Sequence, residues 1–240
     1  MPDKHRHRGL APEDAEEFAS GQWARMREAV ADLSWLLTRG YARESSLKLA
    51  GDRYALTARQ RLAVGRCTAS DQACANRRLR EMAPERLRGC DRLCIDGFNV
   101  LLTLETAFSG GILLQGRDGC IRDMANVHGS YRSVEETVPV LELIGRTLQD
   151  LGVSETVWYL DRPVSNSGRL KQLLAETAAA HGWNWRIEVV FDPDRELAAA
   201  AGAVVVTADS AILDRCGPWF NLVSHILASV PAARPSLNLG

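Results

Sequence analysis

Leu93-Cys94-Ile95-Asp96-Gly97-Phe98-Asn99-Val100 is the stretch on which the reading of the fold turns. Leu93-Cys94-Ile95 is a short apolar run of the kind a fully buried strand carries, and Asp96 follows it directly. The same grammar recurs downstream. Thr156-Val157-Trp158-Tyr159-Leu160 runs into Asp161, and Ala203-Val204-Val205-Val206 is followed by Thr207-Ala208-Asp209. Residues 185–191 read as a further strand. Helical stretches near 133–151, 166–181 and 194–200 separate these runs. Strand–helix alternation of this kind predicts an α/β fold with a mainly parallel sheet covered on both faces.

Three strand-like runs thus deliver Asp96, Asp161 and Asp209 to what an open parallel sheet makes its ligand-binding edge, the carboxyl ends of the strands. Three carboxylates there repel one another unless a cation or protons lie among them. Mg²⁺ or Mn²⁺ is the expected occupant, since hard divalent ions take carboxylate, water and phosphate oxygens. A single such aspartate needs no explanation beyond capping the next turn; the repetition is what points to a site. Other phosphate devices are missing. There is no G-x-x-x-x-G-K-[ST] loop, no G-x-G-x-x-G after a strand and no His-x-x-x-His pair, and Asp96-Gly97-Phe98 lacks the second aspartate of a haloacid-dehalogenase-type phosphatase.

Upstream, residues 1–90 read as a helical, basic accessory domain and 91–240 as the α/β domain. Residues 22–38 place Trp23, Met26, Val30, Leu33, Leu36 and Leu37 at helical spacing, with Gly40 as the stop. A second helix is expected over 45–54. Thr57-Ala58-Arg59-Gln60 is a capping box opening a third, and together the two resemble the layout of a helix-turn-helix with Arg59, Arg61 and Arg66 on the second helix. Residues 70–91 read as a basic helix and a linker. The segment Phe108-Ser109-Gly110-Gly111-Ile112-Leu113-Leu114 reads as a hairpin about its Gly-Gly pair, either a lid or an edge for a homo-oligomer.

Composition sets the frame. With 240 residues, 46% hydrophobic and 25% charged, the chain buries a core without disulfides or structural metal. Residues 1–92 carry 18 Lys+Arg against 13 Asp+Glu, and 93–240 carry 11 against 17, so a basic part precedes an acidic one. The six cysteines lack paired C-x-x-C knuckles, which argues against zinc and fits a reducing compartment. No apolar run is long enough to span a membrane, and the opening residues lack the apolar core of a secretory leader, so a cytoplasmic location is expected.

Four of these short motifs, taken in order, resemble PIN-like nucleases of the NYN branch. They are Ile95-Asp96-Gly97-Phe98-Asn99-Val100, Gly116-Arg117-Asp118-Gly119-Cys120-Ile121-Arg122-Asp123, Val157-Trp158-Tyr159-Leu160-Asp161 and Val206-Thr207-Ala208-Asp209-Ser210. The likeness covers about residues 92–220. The whole chain also resembles an uncharacterised prokaryotic family with a helical amino-terminal domain and such a carboxyl-terminal one. The PIN-like resemblance implies a three-layer α/β/α domain and metal-dependent hydrolysis of phosphodiesters, with RNA the expected substrate. Carried over by motif, Asp96 and Asp209 become metal ligands and Asn99 orients Asp96 or a ligand water. Asp118 or Asp123 supplies an acid from the second element, with Glu135 and Glu136 as rivals, and Asp161 is a further strand-end acid. Ala211 stands where many members carry another aspartate, for which Asp214 is the candidate substitute. Arg117, Arg122, Arg132, Arg162 and Arg169 are the candidate grips on nucleic acid, with His128 and Tyr131 among them. A silent nucleic-acid-binding protein and a phosphatase acting on a small substrate are the alternatives.

Overall fold

The computed structural model describes residues 7–125, 129–230 and 236–240, so His128 lies outside the described residues. The amino-terminal part is helical: α1 (Asp14–Glu17), α2 (Ser20–Thr38), α3 (Arg43–Arg53), α4 (Ala58–Cys67) and α5 (Asp71–Arg80). Local chemistry sets their ends. Thr57 and Gln60 form the expected capping box: the Gln60 amide donates to Thr57 Oγ1 at 3.1 Å and the Thr57 amide to Gln60 Oε1 at 3.2 Å. Ser70 caps α5 by accepting from the Ala73 amide at 3.1 Å.

A short 3₁₀ turn leads into β1 (Leu93–Asp96), α6 (Gly97–Phe108), β2 (Leu113–Gln115), β3 (Ile121–Asp123), α7 (Thr137–Asp150) and β4 (Thr156–Asp161). Then follow α8 (Ser167–His181), β5 (Trp185–Val190), α9 (Pro193–Ala198), β6 (Val204–Val206), α10 (Ser210–Leu213), α11 (Leu222–Ser229) and β7 (Leu237–Asn238). The main sheet has the order β5-β4-β1-β6, and every pairing in it is parallel. Alternate side chains serve opposite faces. Leu93 and Ile95 of β1 join a core with Leu101, Leu141 and Leu174 from α6, α7 and α8. Cys94 joins another with Leu197, Ile212 and Trp219. Both faces of β1 are therefore covered, as its unbroken apolar run requires. From β1 the order runs outward through β4 to β5, then returns to β6 on the other side of β1. That reversal opens a crevice at the carboxyl ends of β1 and β6.

Several sequence expectations change. Residues 103–108 complete α6, whose side chains are buried on nearly all sides. Thr103, Glu105 and Thr106 are buried along with its apolar residues, so no polar stripe marks a solvent face and periodicity does not reveal it. Gly110 and Gly111 do not turn a hairpin. They close α6, with Gly110 at φ 72° and the Gly111 amide donating to Thr106 O at 2.9 Å. The hairpin lies one step on, where β2 pairs antiparallel with β3 and the Gly119 amide donates to Gly116 O at 3.0 Å. The motif 116–123 is the turn and second strand of that hairpin. β7 pairs with β2 on its other side.

A second apolar cluster crosses residue 90. It joins Met26, Val30 and Leu33 of α2 and Val64 of α4 to Ile112, Leu114, Met124, Leu237 and Leu239 around the small sheet. The arginines of α4 are engaged within the chain: Arg59 pairs with Asp14, Arg61 with Asp52, and Arg66 donates to the carbonyls of Asp123 and Ala125. Trp183 and Trp185 stack on each other at 5.1 Å, and Trp185 packs on buried Trp158 at 5.0 Å. Both flank the amino-terminal end of β5, opposite the aspartates. Cys67 and Cys94 are buried, and that burial pushes their thiols up to about 12 and about 11. No described helix is long and apolar enough to cross a membrane.

Glu105 of α6 is fully buried and accepts from Tyr131 at 2.6 Å, from Thr137 Oγ1 at 2.5 Å and from Arg8. Tyr131→Phe removes one of these charge-assisted bonds and leaves an acceptor short in the core. It is expected to lower stability by about 1.5–3 kcal/mol, read as a fall in the denaturant midpoint at unchanged m-value.

Candidate active site at the carboxyl edge of the sheet

β1 ends on Asp96 and β6 is followed by Thr207-Ala208-Asp209, so neighbouring strands bring the two aspartates to the crevice from either side of the reversal. Two polar side chains lock the arrangement. Thr207 Oγ1 donates to Asp96 Oδ2 at 2.7 Å and accepts from the Asp209 amide at 3.0 Å. Asn99 Oδ1 accepts from the Ala208 amide at 2.8 Å. The Asn99 side chain therefore positions the turn that carries Asp209, while its backbone amide donates to the Asp96 carboxylate. Asp209 Oδ1 caps α10 by accepting from Ala211 and Ile212 at 2.7 and 3.1 Å.

Gly97 lets the start of α6 lie against β4. A Cβ there would stand 2.5 Å from Leu160 Cδ2 and 2.9 Å from the Tyr159 carbonyl oxygen. Gly97→Ala forces α6 away from β4, and with it Asn99. The expected cost is about 1–3 kcal/mol, measured by urea unfolding.

The carboxylates act on one another. Burial chiefly, then the charges of Asp209 and Asp194, push Asp96 up to about 7, against the hydrogen bond from Thr207. Asp194 is raised by burial and by Asp209 and Asp192, and Asp161 by burial and by Asp194 and Asp192. Asp194 is a member that motif reading missed. It opens α9 directly after β5, so the strand-end rule that singled out the other three finds it when applied to Phe191-Asp192-Pro193-Asp194.

Asp118 and Asp123, left as alternatives by the sequence, part company. Asp118 is buried between two guanidiniums, with Arg77 Nη1 at 2.5 Å and Arg122 Nη2 at 2.6 Å from its Oδ2, and so is committed to them rather than to the crevice. Asp123 Oδ2 accepts from Thr103 at 2.7 Å, and the residue lines a cleft of about 420 Å³ that Asn99 and Asp209 also line. Asp214 pairs with Arg77 at 2.7 Å and does not stand in for an acid at Ala211. Glu135 and Glu136 lie against His7, apart from the cluster.

The proposed basic grips scatter. Arg122 donates to Asp118 and to Ala208 O, and Arg117 to Asp71 and Ala69 O. Arg132 lines a separate cleft around Arg8 and Arg59. Arg162 lies over the exposed ring of Phe191 at 4.6 Å, and Arg169 is exposed on α8. Neither Ser165 nor Ser167 caps α8; the Ser167 hydroxyl donates to the carbonyls of Asp161 and Val164. The cleft's basic side comes instead from Arg43 of α3 and Arg66 of α4, joined by Arg122. Arg66 is one of the arginines of the helix-turn-helix-like pair, but no local motif announces Arg43, whose neighbours in the cleft are mostly far away along the chain.

As placed, no group of three or more His, Cys, Asp or Glu among the described residues is arranged to hold a metal ion. The donor set at the crevice is nonetheless all hard oxygen, and one or two carboxylates with waters are enough for Mg²⁺.

Comparison with known proteins places these features in a family. Residues 84–225, from the 3₁₀ turn into α11, match the model of the domain of unknown function DUF5616. Residues 25–80, from α2 to the end of α5, match the protein of unknown function DUF434. The uncharacterized protein MJ0935 of Methanocaldococcus jannaschii is 30% identical over 190 residues, covering 78% of this chain and 88% of that protein. No solved structure matches. The chain is a member of the DUF5616 family.

Proposed function

We propose that the chain is a PIN-like, metal-dependent hydrolase of phosphodiester bonds, with RNA as its expected substrate. The observation that carries this reading is the convergence of Asp96 and Asp209 at the sheet reversal, with Asp194 close enough to raise the carboxyls of both Asp96 and Asp161. The strand order and the D-G-F-N motif support the PIN-like comparison. A bound Mg²⁺ or Mn²⁺ supplies a water of lowered pKa and neutralises charge on the phosphate. Asp96 and Asp209 are the residues that would hold it. Thr207 keeps the Asp96 carboxylate oriented, and Asn99 fixes the turn that carries Asp209. Buried walls around Asp96 exclude bulk water and sharpen its electrostatic pull.

One observation favours a second reading. The described carboxylates do not close into a three-ligand cluster, as suits a protein that binds nucleic acid without cutting it. Incubation of end-labelled single-stranded and structured RNA with Mn²⁺ or with EDTA separates the two. Cleavage that requires the metal supports the hydrolase. Binding that persists in EDTA, without cleavage, supports the silent binder.

A further inference from the structure

We propose that the cleft between the α3–α4 helices and the carboxyl edge of the sheet holds a phosphate group of the substrate, with Arg43 as the cation that grips it. The inference rests on the reading above and names the residue through which the helical segment takes part. Three arginines line the cleft, and two of them are committed elsewhere. Arg122 is held by both oxygens of Asp118 and by Ala208 O. Arg66 donates to backbone carbonyls of β3 and the residues after it.

Arg43 differs. It donates to one backbone carbonyl, that of Gly65, where Arg66 donates to two, and among the described residues it makes no ion pair with a carboxylate. It also feels an excess of positive charge. Burial first, then Arg122 and Arg77, hold it below the ordinary arginine value, against the pull of Asp214 and Asp209. An anion placed beside it relieves that repulsion. A guanidinium presents a planar fork of donors that matches two phosphate oxygens. Asp209 and Asp123 line the same space and oppose an anion, so the cleft suits a phosphate that arrives with a divalent cation. Asp209 then faces the cation from the sheet side, while Arg43 meets the phosphate from the helical side.

Calorimetry with inorganic pyrophosphate and Mg²⁺ on the full chain tests this. Arg43 lies at the surface with its guanidinium half-buried in the cleft, so its replacement is expected to leave the fold intact, checked by an unchanged melting temperature. Arg43→Gln is expected to weaken binding by about tenfold or more, the scale of a lost charge-assisted hydrogen bond. Arg43→Lys is expected to recover part of the loss, and Arg53→Gln, at the other end of α3, to change nothing. Equal affinity for wild type and Arg43→Gln overturns the inference, as does absence of binding by the wild type. With labelled single-stranded RNA, the slope of log K against log salt is expected to fall by about one in Arg43→Gln. Pyrophosphate binding through Arg43 with no RNA cleavage keeps this inference and overturns the nuclease. Metal-dependent cleavage with a KM unmoved in Arg43→Gln does the reverse.

Discussion

Asp96→Asn is expected to eliminate metal-dependent RNA cleavage, lowering kcat/KM by on the order of 100-fold or more. Replacing groups that merely orient metal ligands already costs about 10–100-fold, and Asp96 is proposed as a ligand itself. The substitution is mild for the fold. An amide fills the same volume, and its oxygen can accept the Thr207 hydroxyl that now donates to Asp96 Oδ2. It also removes a carboxylate that burial disfavours, so the variant is expected to melt no lower than the wild type at neutral pH. A folded, inactive protein is the expected result. Cleavage at wild-type rate by folded Asp96→Asn would remove the crevice from the mechanism.

Asp118→Ala is expected to do the opposite, damaging the fold first. Arg77 and Asp118 are each only 2% exposed in their side chains, and Arg122 is 8% exposed, so this triad is dry. It ties α5 to the β2–β3 hairpin, and through Ala208 O and Ser210 to the turn that carries Asp209. Removing the shared anion leaves two buried cations against each other, with half-exposed Asp214 the remaining counter-charge on Arg77. Breaking a buried pair in this way costs about 3–5 kcal/mol, measurable by urea or thermal unfolding. The pH dependence follows. Burial would raise the Asp118 carboxyl, but the hydrogen bonds from Arg122 and the charges of Arg122 and Arg77 outweigh it and hold it below the ordinary carboxylate value. Its stabilisation is therefore complete above about pH 4, where the unfolded chain has ionised, and fades as pH falls through the lower folded value. The wild type is expected to lose stability on that acid limb, and Asp118→Ala to lose less there.

How far the residues alone lead is clear from individual elements. β1, β4 and β6 stand where short apolar runs between polar junctions place them, because a strand covered on both faces is largely apolar, and β5 at the sheet edge carries Arg186 and Glu188 between its apolar residues. The box at Thr57 and Gln60 is legible because a cap needs only residues three apart. α6 is hidden by its own burial, since a helix surrounded by core has no polar face to set a period. Asp96, Asp161 and Asp209 are recognisable as strand-end acids one at a time. Asp194 follows the same rule but is separated from its strand by Asp192 and Pro193.

Local pattern thus determined the α/β class, the helical start and the acids at the strand ends. Tertiary structure decided which of them meet. Strand order brings β1 beside β6, and so Asp96 beside Asp209, across more than a hundred residues of chain. It sends Asp118 into the grip of Arg77 and Arg122 while Asp123, five residues on, lines the cleft. It also sets Arg43 from the helical segment in the same space as Asp209. Hydrophobic period and capping act over a few residues, whereas ion pairing and carboxylate repulsion depend on distance in space, which only the packed chain defines.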